Sequence, residues 1–317
     1  MRAPFPWYGG KSRAATIIWR AFGNVPNYVE PFAGSIAVLL ARPHEAKVET
    51  VNDLDGLIAN FWRATKLAPD EVARWCDWPV NEADLHARHQ WLTAHAPTLH
   101  EQLVADPEYF DAKMAGWWVW GICTWIGNGW CSRDERLHHC LPKIGTPGHG
   151  IHAPTRVRPR KPRTGLSGQG VHRDAIAGAL TDVFTELASR LRRVRVCCGE
   201  WDRVLGRSTL GIDTNHGMSP CGVLLDPPYS HAAGREKRLY REDSGTVSVR
   251  VRAWAVANGN NAALRIALCG WDGEHEMPAG WRCVSWRPQN AWANAGRERI
   301  WLSPHCLEEV ERQPSLF

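Results

Sequence analysis

The sequence predicts an α/β fold built on a largely parallel sheet. Two consecutive strand-to-helix units occupy the first 65 residues, and strand-like runs return after about residue 170. Strands that alternate with helices indicate parallel neighbours joined by right-handed crossovers. A chain of 317 residues with 44% hydrophobic content is long enough to bury the core that such a sheet requires.

The first two strand-to-helix units can be followed directly along the chain. The segment NYVEPF at residues 27–32 is extended and apolar, AGS is a turn of small residues, and IAVLLAR continues as a helix. The next strand, KVETVN, ends at Asn52 and Asp53. The helix after it presents apolar residues at core spacing, namely Leu57, Ile58, Phe61 and Trp62.

A long segment without strand alternation interrupts this pattern between residues 66 and 170. It contains polar helices rich in His and Trp, the aromatic run AGWWVWGICTWI, and a stretch rich in Gly, Pro and basic residues. We expect a mainly helical inserted subdomain that ends in a long loop. The sheet domain would then comprise residues 1–65 and 171–317.

The α/β pattern returns after the insertion. The segment RDAIAGALTDVFTELASRLRR predicts an amphipathic helix, and the strand-like segments VRVCCGEW, CGVLLDPPYS and ALRIALCGW follow it. The segment WRCVSWRPQNAWANAGRERIWLSP predicts a terminal hairpin with a long loop. The sequence contains no internal repeat.

Charge and cysteine content set mild limits on function. A net charge of +5 allows a nucleic-acid partner but does not demand one. Ten cysteines without regular spacing, in a chain whose start lacks an apolar signal region, are typical of reduced thiols. The longest apolar run has twelve residues, too few to span a bilayer. We therefore expect a soluble cytoplasmic protein.

Three candidate sites fall at predicted carboxyl ends of strands, where open α/β sheets bind ligands. The turn at Gly34 permits close approach of a ligand to the backbone, although such turns are also ordinary packing features, and no complete GxGxxG pattern is present. Asp53 ends the second strand at a position suited to ribose hydroxyls. The alternative is that Asp53 or Asp55 caps the helix that begins near Gly56.

The third site is the sequence VLLDPPYS at residues 223–230. Asp226 ends an apolar strand, and two prolines stiffen the turn and remove two N–H donors while their carbonyls remain acceptors. A carboxylate, outward-facing acceptors and the ring of Tyr229 can hold an exocyclic amino group on a stacked nucleobase. Such a base must leave the duplex to reach the site. The alternative is a proline-rich turn with a surface tyrosine.

Together these stretches resemble the Dam-type family of DNA adenine N6-methyltransferases, in which DPPY is the catalytic motif. The segment PFPWYGGK is similar to the family's N-terminal motif, YVEPFAGSIAVLL to its cofactor loop, VNDLDGLIANFW to its ribose-binding acid and helix, and VRVCCGEW to the strand that ends at the cofactor's adenine. The resemblance implies a Rossmann-like sheet that binds S-adenosylmethionine, with a target-recognition subdomain inserted before DPPY.

The resemblance also implies roles for individual residues. The catalytic residues would be Asp226, Pro227, Pro228 and Tyr229. The cofactor-binding residues would be Trp7, Lys11, Glu30, Phe32, Gly34, Asp53, Glu200, Trp201 and Asp226. Two positions depart from the family's pattern: Glu200 and Trp201 stand where Asp often precedes an aromatic residue, and Ile36 stands where a second small residue is common.

The implied partner is double-stranded DNA. The segment RVRPRKPR contains five basic residues and no acid, so it is a candidate to follow phosphates: Arg156, Arg158, Arg160, Lys161 and Arg163. A solvated linker is the alternative. Cytosine N4 or RNA as the methylated group, and a catalytically silent DNA-binding relative, are the other functions that the residues allow.

Two further clusters have no assigned role. The His and Cys residues of the insertion lack the paired spacing of a zinc site, and we expect no metal there: Cys123, Cys131, His138, His139 and Cys140. The dense tryptophans form either a packed subdomain or a stacking surface: Trp117, Trp118, Trp120, Trp125 and Trp130.

Overall fold

The protein is described by a computed structural model that covers residues 1–7, 9–125, 129–131, 180–212, 220–230, 246–287 and 296–307. Several sequence expectations lie outside these ranges. They include the five basic residues proposed to contact DNA, Arg156, Arg158, Arg160, Lys161 and Arg163, and three members of the His and Cys cluster, His138, His139 and Cys140.

Seven strands within these ranges form one mixed sheet. They are β1 (Asn27–Glu30), β2 (Val48–Asp53), β3 (Val194–Cys198), β4 (Cys221–Leu225), β5 (Leu264–Trp271), β6 (Arg282–Ser285) and β7 (Glu298–Leu302). The spatial order is β3-β2-β1-β4-β5-β7-β6. The first five strands run parallel, and β7 runs antiparallel to both β5 and β6. The α/β prediction and its parallel sheet are confirmed.

The direction of the strand order changes between β1 and β4. From β1 the chain moves outward through β2 to β3, whereas β4 and β5 extend the sheet on the other side of β1. The carboxyl ends of β1 and β4 therefore border a crevice of the kind in which open α/β sheets bind ligands. The predicted terminal hairpin is present as β6 and β7, with β7 inserted between β5 and β6.

Helices cover both faces of the sheet. They are α1 (Ala15–Phe22), α2 (Ala37–Leu40), α3 (Gly56–Leu67), α4 (Pro69–Cys76), α5 (Glu82–Ala105), α6 (Ala112–Thr124), α7 (Leu180–Leu191), a 3₁₀ helix (Trp201–Val204), α8 (Arg207–Leu210) and α9 (Val247–Asn258). Side chains of a strand alternate between the faces. Tyr28 therefore joins the core beneath α1, α3, α6 and α7, whereas Val29 joins the core beneath α9 and the 3₁₀ helix.

The described part of the predicted insertion is helical. Helices α4, α5 and α6 pack against α3 and α7, and their apolar residues share one core cluster with the sheet. The boundaries of a separate subdomain at 66 and 170 stay a prediction. None of the helices within the described ranges is both long and apolar enough to cross a membrane.

The tryptophan-rich segment forms helix α6 and its continuation, and its rings pack within the protein. Trp118 and Trp120 are buried, and the Trp120 Nε1–H donates to the Trp78 carbonyl at 2.9 Å. Trp130 is half-buried and covers Gly121 so closely that a side chain at that glycine would collide with its ring. These contacts favour a packed core over a stacking surface. Cys123 and Cys131 are buried as well.

Candidate active site

A cleft opens at the carboxyl ends of β1, β2 and β4, beside the turn that follows β3. Its walls include all nine residues predicted to bind the cofactor, namely Trp7, Lys11, Glu30, Phe32, Gly34, Asp53, Glu200, Trp201 and Asp226. Pro228 also lines the cleft, whereas Pro227 is buried beside it. The sheet topology thus brings together three sequence motifs that lie far apart along the chain.

The turn after β1 requires glycine at position 34. Gly34 has φ +46°, in the left-handed region that residues with a Cβ rarely adopt. A Cβ at this position would also lie 2.9 Å from Cε2 of Trp7 and closer still to Nε1, because the indole lies directly on the glycine. The Trp62 Nε1–H donates to the Gly34 carbonyl at 2.8 Å and fixes the turn from behind.

Asp53 stabilises the same turn from β2. Its Oδ2 accepts the Gly34 N–H and its Oδ1 accepts the Asp55 N–H, both at 2.9 Å. Asp55, and not Asp53, caps helix α3 by accepting the Leu57 N–H at 2.9 Å. Asp53 is half-buried at the cleft wall.

Ile36 occupies an unusual backbone conformation at the start of α2. Its φ of 45° and ψ of 31° are left-handed, and its side chain is fully buried. A β-branched residue in this region costs about 1–3 kcal/mol and persists only where its surroundings enforce it. Ile36 therefore places backbone strain in the turn between β1 and α2.

Aromatic rings line the end of the cleft near β3. The rings of Phe32 and Trp201 are stacked, with centroids 6.2 Å apart and an interplanar angle of 21°. Glu200 is exposed, and its Oε2 lies 4.0 Å from Nη1 of Arg250 on helix α9. Arg250 also lines the cleft, and its guanidinium lies 5.8 Å from the centroid of the Trp201 ring.

An ion pair occupies the floor of the cleft. Nζ of Lys11 lies 2.8 Å from Oδ2 of Asp226 and donates to the Gly9 carbonyl at 2.7 Å. Burial alone would lower the pKa of Lys11, but attraction to Asp226 and Glu298 raises it above its usual value, so the amine stays charged. Burial raises the pKa of Asp226, and Lys11 opposes that effect.

A second carboxyl group, that of Glu30, lies at the end of β1. It is 4% exposed and accepts the Tyr28 hydroxyl at 2.9 Å on Oε2. Burial raises the pKa of Glu30 well above its usual value, and the charge of Asp226 adds to the effect. A cationic ligand in the cleft would favour the ionised form of this group.

Tyr229 is buried, which contradicts the alternative of a surface tyrosine. It is 7% exposed, and its hydroxyl donates to Oε2 of Glu298 at 2.8 Å. Its ring meets the Trp271 ring edge-on at a centroid distance of 5.5 Å, and Nζ of Lys11 lies 5.3 Å from the Tyr229 centroid. The DPPY motif is therefore fixed at both its acidic and its aromatic end.

The sequence reasoning missed the residues that hold the motif. Glu298 in β7 contacts Tyr229, and Glu274 accepts the Ser230 N–H at 2.6 Å and the Trp271 N–H at 2.9 Å. The only available signal for Glu298 was an acid that begins the otherwise apolar strand ERIWL. For Glu274 no comparable signal exists, because it lies in a polar turn.

Comparison with known proteins agrees with this geometry. Residues 7–111 match the model of the D12 class N6 adenine-specific DNA methyltransferase family, a range that includes Trp7, Lys11, the Gly34 turn and Asp53 and ends before Asp226. No curated protein matches the chain. The matched range and the mixed α/β sheet are consistent with a Dam-type enzyme. Residues 7–111 are therefore similar to a D12 class methyltransferase, and this match indicates a DNA adenine N6-methyltransferase, an enzyme that uses a methyl donor.

Proposed function

We propose that the protein transfers a methyl group from S-adenosylmethionine directly to N6 of an adenine that has left the DNA duplex. The observation that carries this proposal is the position of the Asp226 carboxylate, which opens into the same cleft as the predicted cofactor residues. A methyl donor bound in the cleft would lie next to an acceptor for an amino group. Proximity of this kind supplies a large part of the rate in transfer reactions.

The chemistry of the cleft suits S-adenosylmethionine. The described lining contains more acids than bases, which favours a ligand with a positive sulfonium and ammonium group. The stacked rings of Phe32 and Trp201 offer an apolar surface for adenine, and Asp53 offers acceptors for ribose hydroxyls. The missing Cβ at Gly34 leaves room for the indole of Trp7, which forms the cleft wall beside the loop.

When bound, S-adenosylmethionine supplies a methyl group on a positively charged sulfur. The residues of the chain would orient this donor from three sides. Glu30 and Gly34 would border the methionine portion, Asp53 the ribose, and Trp201 the adenine, since all four residues line the cleft. Trp7, which lies on Gly34, closes the wall nearest to the N-terminal segment.

The DPPY residues would prepare the target amino group. The lone pair of adenine N6 is delocalised into the ring, which makes the nitrogen a weak nucleophile. Acceptance of its two N–H bonds by Asp226 and by the Pro227 carbonyl favours a pyramidal nitrogen whose lone pair is available. Pro228 stiffens the turn, and the ring of Tyr229 would stack on the extruded base. No covalent intermediate with the protein is required.

Lys11 has a second role in this scheme. Asp226 is the stronger acceptor for the amino group as a carboxylate, whereas burial favours its protonated form. The ammonium group at 2.8 Å counteracts burial and favours the ionised form of Asp226. We further propose that the duplex is held by the basic segment at residues 156–163, and that the enzyme acts in the cytoplasm of a bacterial or phage-infected cell.

The test is product analysis on unmethylated plasmid DNA. The purified protein is incubated with this DNA and S-adenosylmethionine, the DNA is digested to nucleosides, and modified bases are quantified by mass spectrometry. We expect N6-methyladenine with the wild type and none with Asp226→Asn, while calorimetry shows that the variant still binds the cofactor. Asp182→Asn, an exposed carboxylate on α7, is the control and should retain full activity.

Each alternative predicts a different product. N4-methylcytosine would move the target to cytosine, and methylated bases on RNA alone would move it to another nucleic acid. Cofactor binding without any product on DNA or RNA would identify a silent relative. Full activity of Asp226→Asn would refute the assigned chemistry.

A further inference from the structure

We propose that Glu298 is a positioning residue that fixes the ring of Tyr229 in the orientation needed to stack on the target base. This inference rests on the proposed function, because it assigns the anchor of the stacking residue. Glu298 lies at the start of β7, outside every motif that identified the active site. Its charge acts on Lys11 and Asp226, but the described hydrogen bonds of its carboxylate go to Tyr229 and Trp271.

Glu298 is buried, and its hydrogen bonds connect it to two aromatic side chains. Glu298 is 6% exposed, and both of its carboxylate oxygens accept hydrogen bonds from aromatic side chains. Oε2 accepts the Tyr229 hydroxyl at 2.8 Å, and Oε1 accepts the Trp271 Nε1–H at 3.2 Å. Buried carboxylates are retained where their acceptor sites are used, and two donors from different elements use them here.

Strand pairing explains why Glu298 lies close to Trp271 and Tyr229. Glu298 is the direct partner of Trp271 in the antiparallel β5–β7 ladder. The Trp271 ring meets the Tyr229 ring edge-on, so the carboxylate holds both rings in one arrangement. The ring of Tyr229 can otherwise turn about two side-chain torsions. The hydroxyl anchor removes this freedom before the base arrives, which lowers the cost of ordering on binding.

The protonation state of the Tyr229 hydroxyl is consistent with this positioning role. Burial raises the pKa of Tyr229 well above its usual value, and the neighbouring charges of Asp226 and Glu298 add to the effect. The phenol therefore keeps its proton, and the hydroxyl acts as a donor to Glu298. A hydrogen bond to a charged acceptor is among the stronger contacts that proteins make.

A double-mutant cycle separates positioning from general stability. Glu298→Gln preserves shape but leaves only one oxygen acceptor for two donors, and Tyr229→Phe preserves the ring but removes the donor. Glu276→Gln is a charge-matched control at an exposed site. The steady-state constants kcat and KM are measured with unmethylated plasmid DNA and S-adenosylmethionine, and folding is checked by thermal unfolding.

We expect Glu298→Gln and Tyr229→Phe each to lower kcat/KM for DNA by about ten-fold, with little change in cofactor affinity. In the Tyr229→Phe protein, Glu298→Gln should cause no further loss, since its partner is already absent. A purely structural role for Glu298 would instead lower activity by the same factor in both backgrounds. Glu276→Gln should match the wild type.

The outcomes are distinct from those that test the proposed function. If the wild type forms no N6-methyladenine, the proposed function fails and the cycle has no activity to measure. If the wild type is active and the effects of Glu298→Gln and Tyr229→Phe simply add, the positioning role is refuted. Wild-type kinetics for either single variant would refute it as well.

Discussion

Replacing Lys11 with methionine should shift the acidic limb of the pH–rate profile to higher pH. Asp226 is a stronger acceptor for the amino group when it is ionised, so activity falls as the pH drops through its pKa. Burial already raises that pKa, and Lys11 is the neighbour that lowers it. Glu298 and Glu274 also face Asp226, and both raise its pKa. Without the ammonium group, the pKa rises further and activity is lost at a higher pH.

The size of this pKa shift follows from the distance between Nζ of Lys11 and Oδ2 of Asp226. At 2.8 Å and an effective dielectric constant of about 20, the attraction between unit charges is on the order of 6 kcal/mol. Asp226 is 21% exposed, and solvent reduces this value. We therefore expect a shift of about two pH units, within the usual effect of about 1–3 units for an adjacent opposite charge.

The assay measures methyl transfer to unmethylated plasmid DNA between acidic and alkaline pH, with cofactor and DNA both saturating. Saturation matters because Lys11 also lines the cofactor cleft. Lys66→Met removes a lysine that instead donates to the Val194 carbonyl, and this control should leave the acidic limb unchanged. If the acidic limb of Lys11→Met coincides with that of the wild type, Lys11 does not set the ionisation of Asp226.

Three further predictions concern binding and stability. Gly34→Ala should weaken S-adenosylmethionine binding at least ten-fold by calorimetry, since the left-handed backbone penalty is about 1–2 kcal/mol and the new Cβ displaces Trp7. Trp201→Ala should weaken S-adenosylmethionine binding by about 1–2 kcal/mol. Glu200→Ala should change this binding by less than about 0.5 kcal/mol, because Glu200 is exposed and its ion pair with Arg250 is long. Glu49→Leu should lower the free energy of unfolding in urea by about 3–5 kcal/mol, because two arginine side chains that it binds lose their counterion.

Matched controls accompany these variants. Gly206→Ala adds a Cβ where no atom lies within 4 Å, and it should leave cofactor affinity unchanged. Glu71→Leu removes an exposed carboxylate from α4 and should cost less than about 0.5 kcal/mol of stability. Wild-type affinity for Gly34→Ala would contradict the close fit against Trp7. Wild-type stability of Glu49→Leu would show that the buried ion cluster contributes nothing net.

Much of the sheet was predictable because its strands end abruptly. Strand segments that stop at Asp53 and Asp226 give both the strand positions and the polar edge of the cleft. Parallel strands place these ends on one side, so the convergence of the sites follows from the topology alone. The glycine at position 34 was recognisable as a turn, but its contact with Trp7 depends on how the N-terminal segment folds back.

The supports of the catalytic turn could not be predicted. The contact between Tyr229 and Glu298 spans 69 positions and depends on the register of β7 against β5. The sequence indicated a terminal hairpin but not that its second strand lies beside β5. The left-handed backbone conformation of Ile36 could not be predicted either, because isoleucine has no local preference for it.

The ion pair on the cleft floor also has a consequence for biosynthesis. Lys11 and Asp226 are separated by about two thirds of the chain, so the ribosome makes the lysine long before its partner exists. Domains generally fold as units once their chain has emerged. A nascent or prematurely terminated chain that lacks β4 has neither the acidic partner nor the neighbouring strand of β1. Such fragments could not methylate DNA, so catalytic competence appears only late in translation.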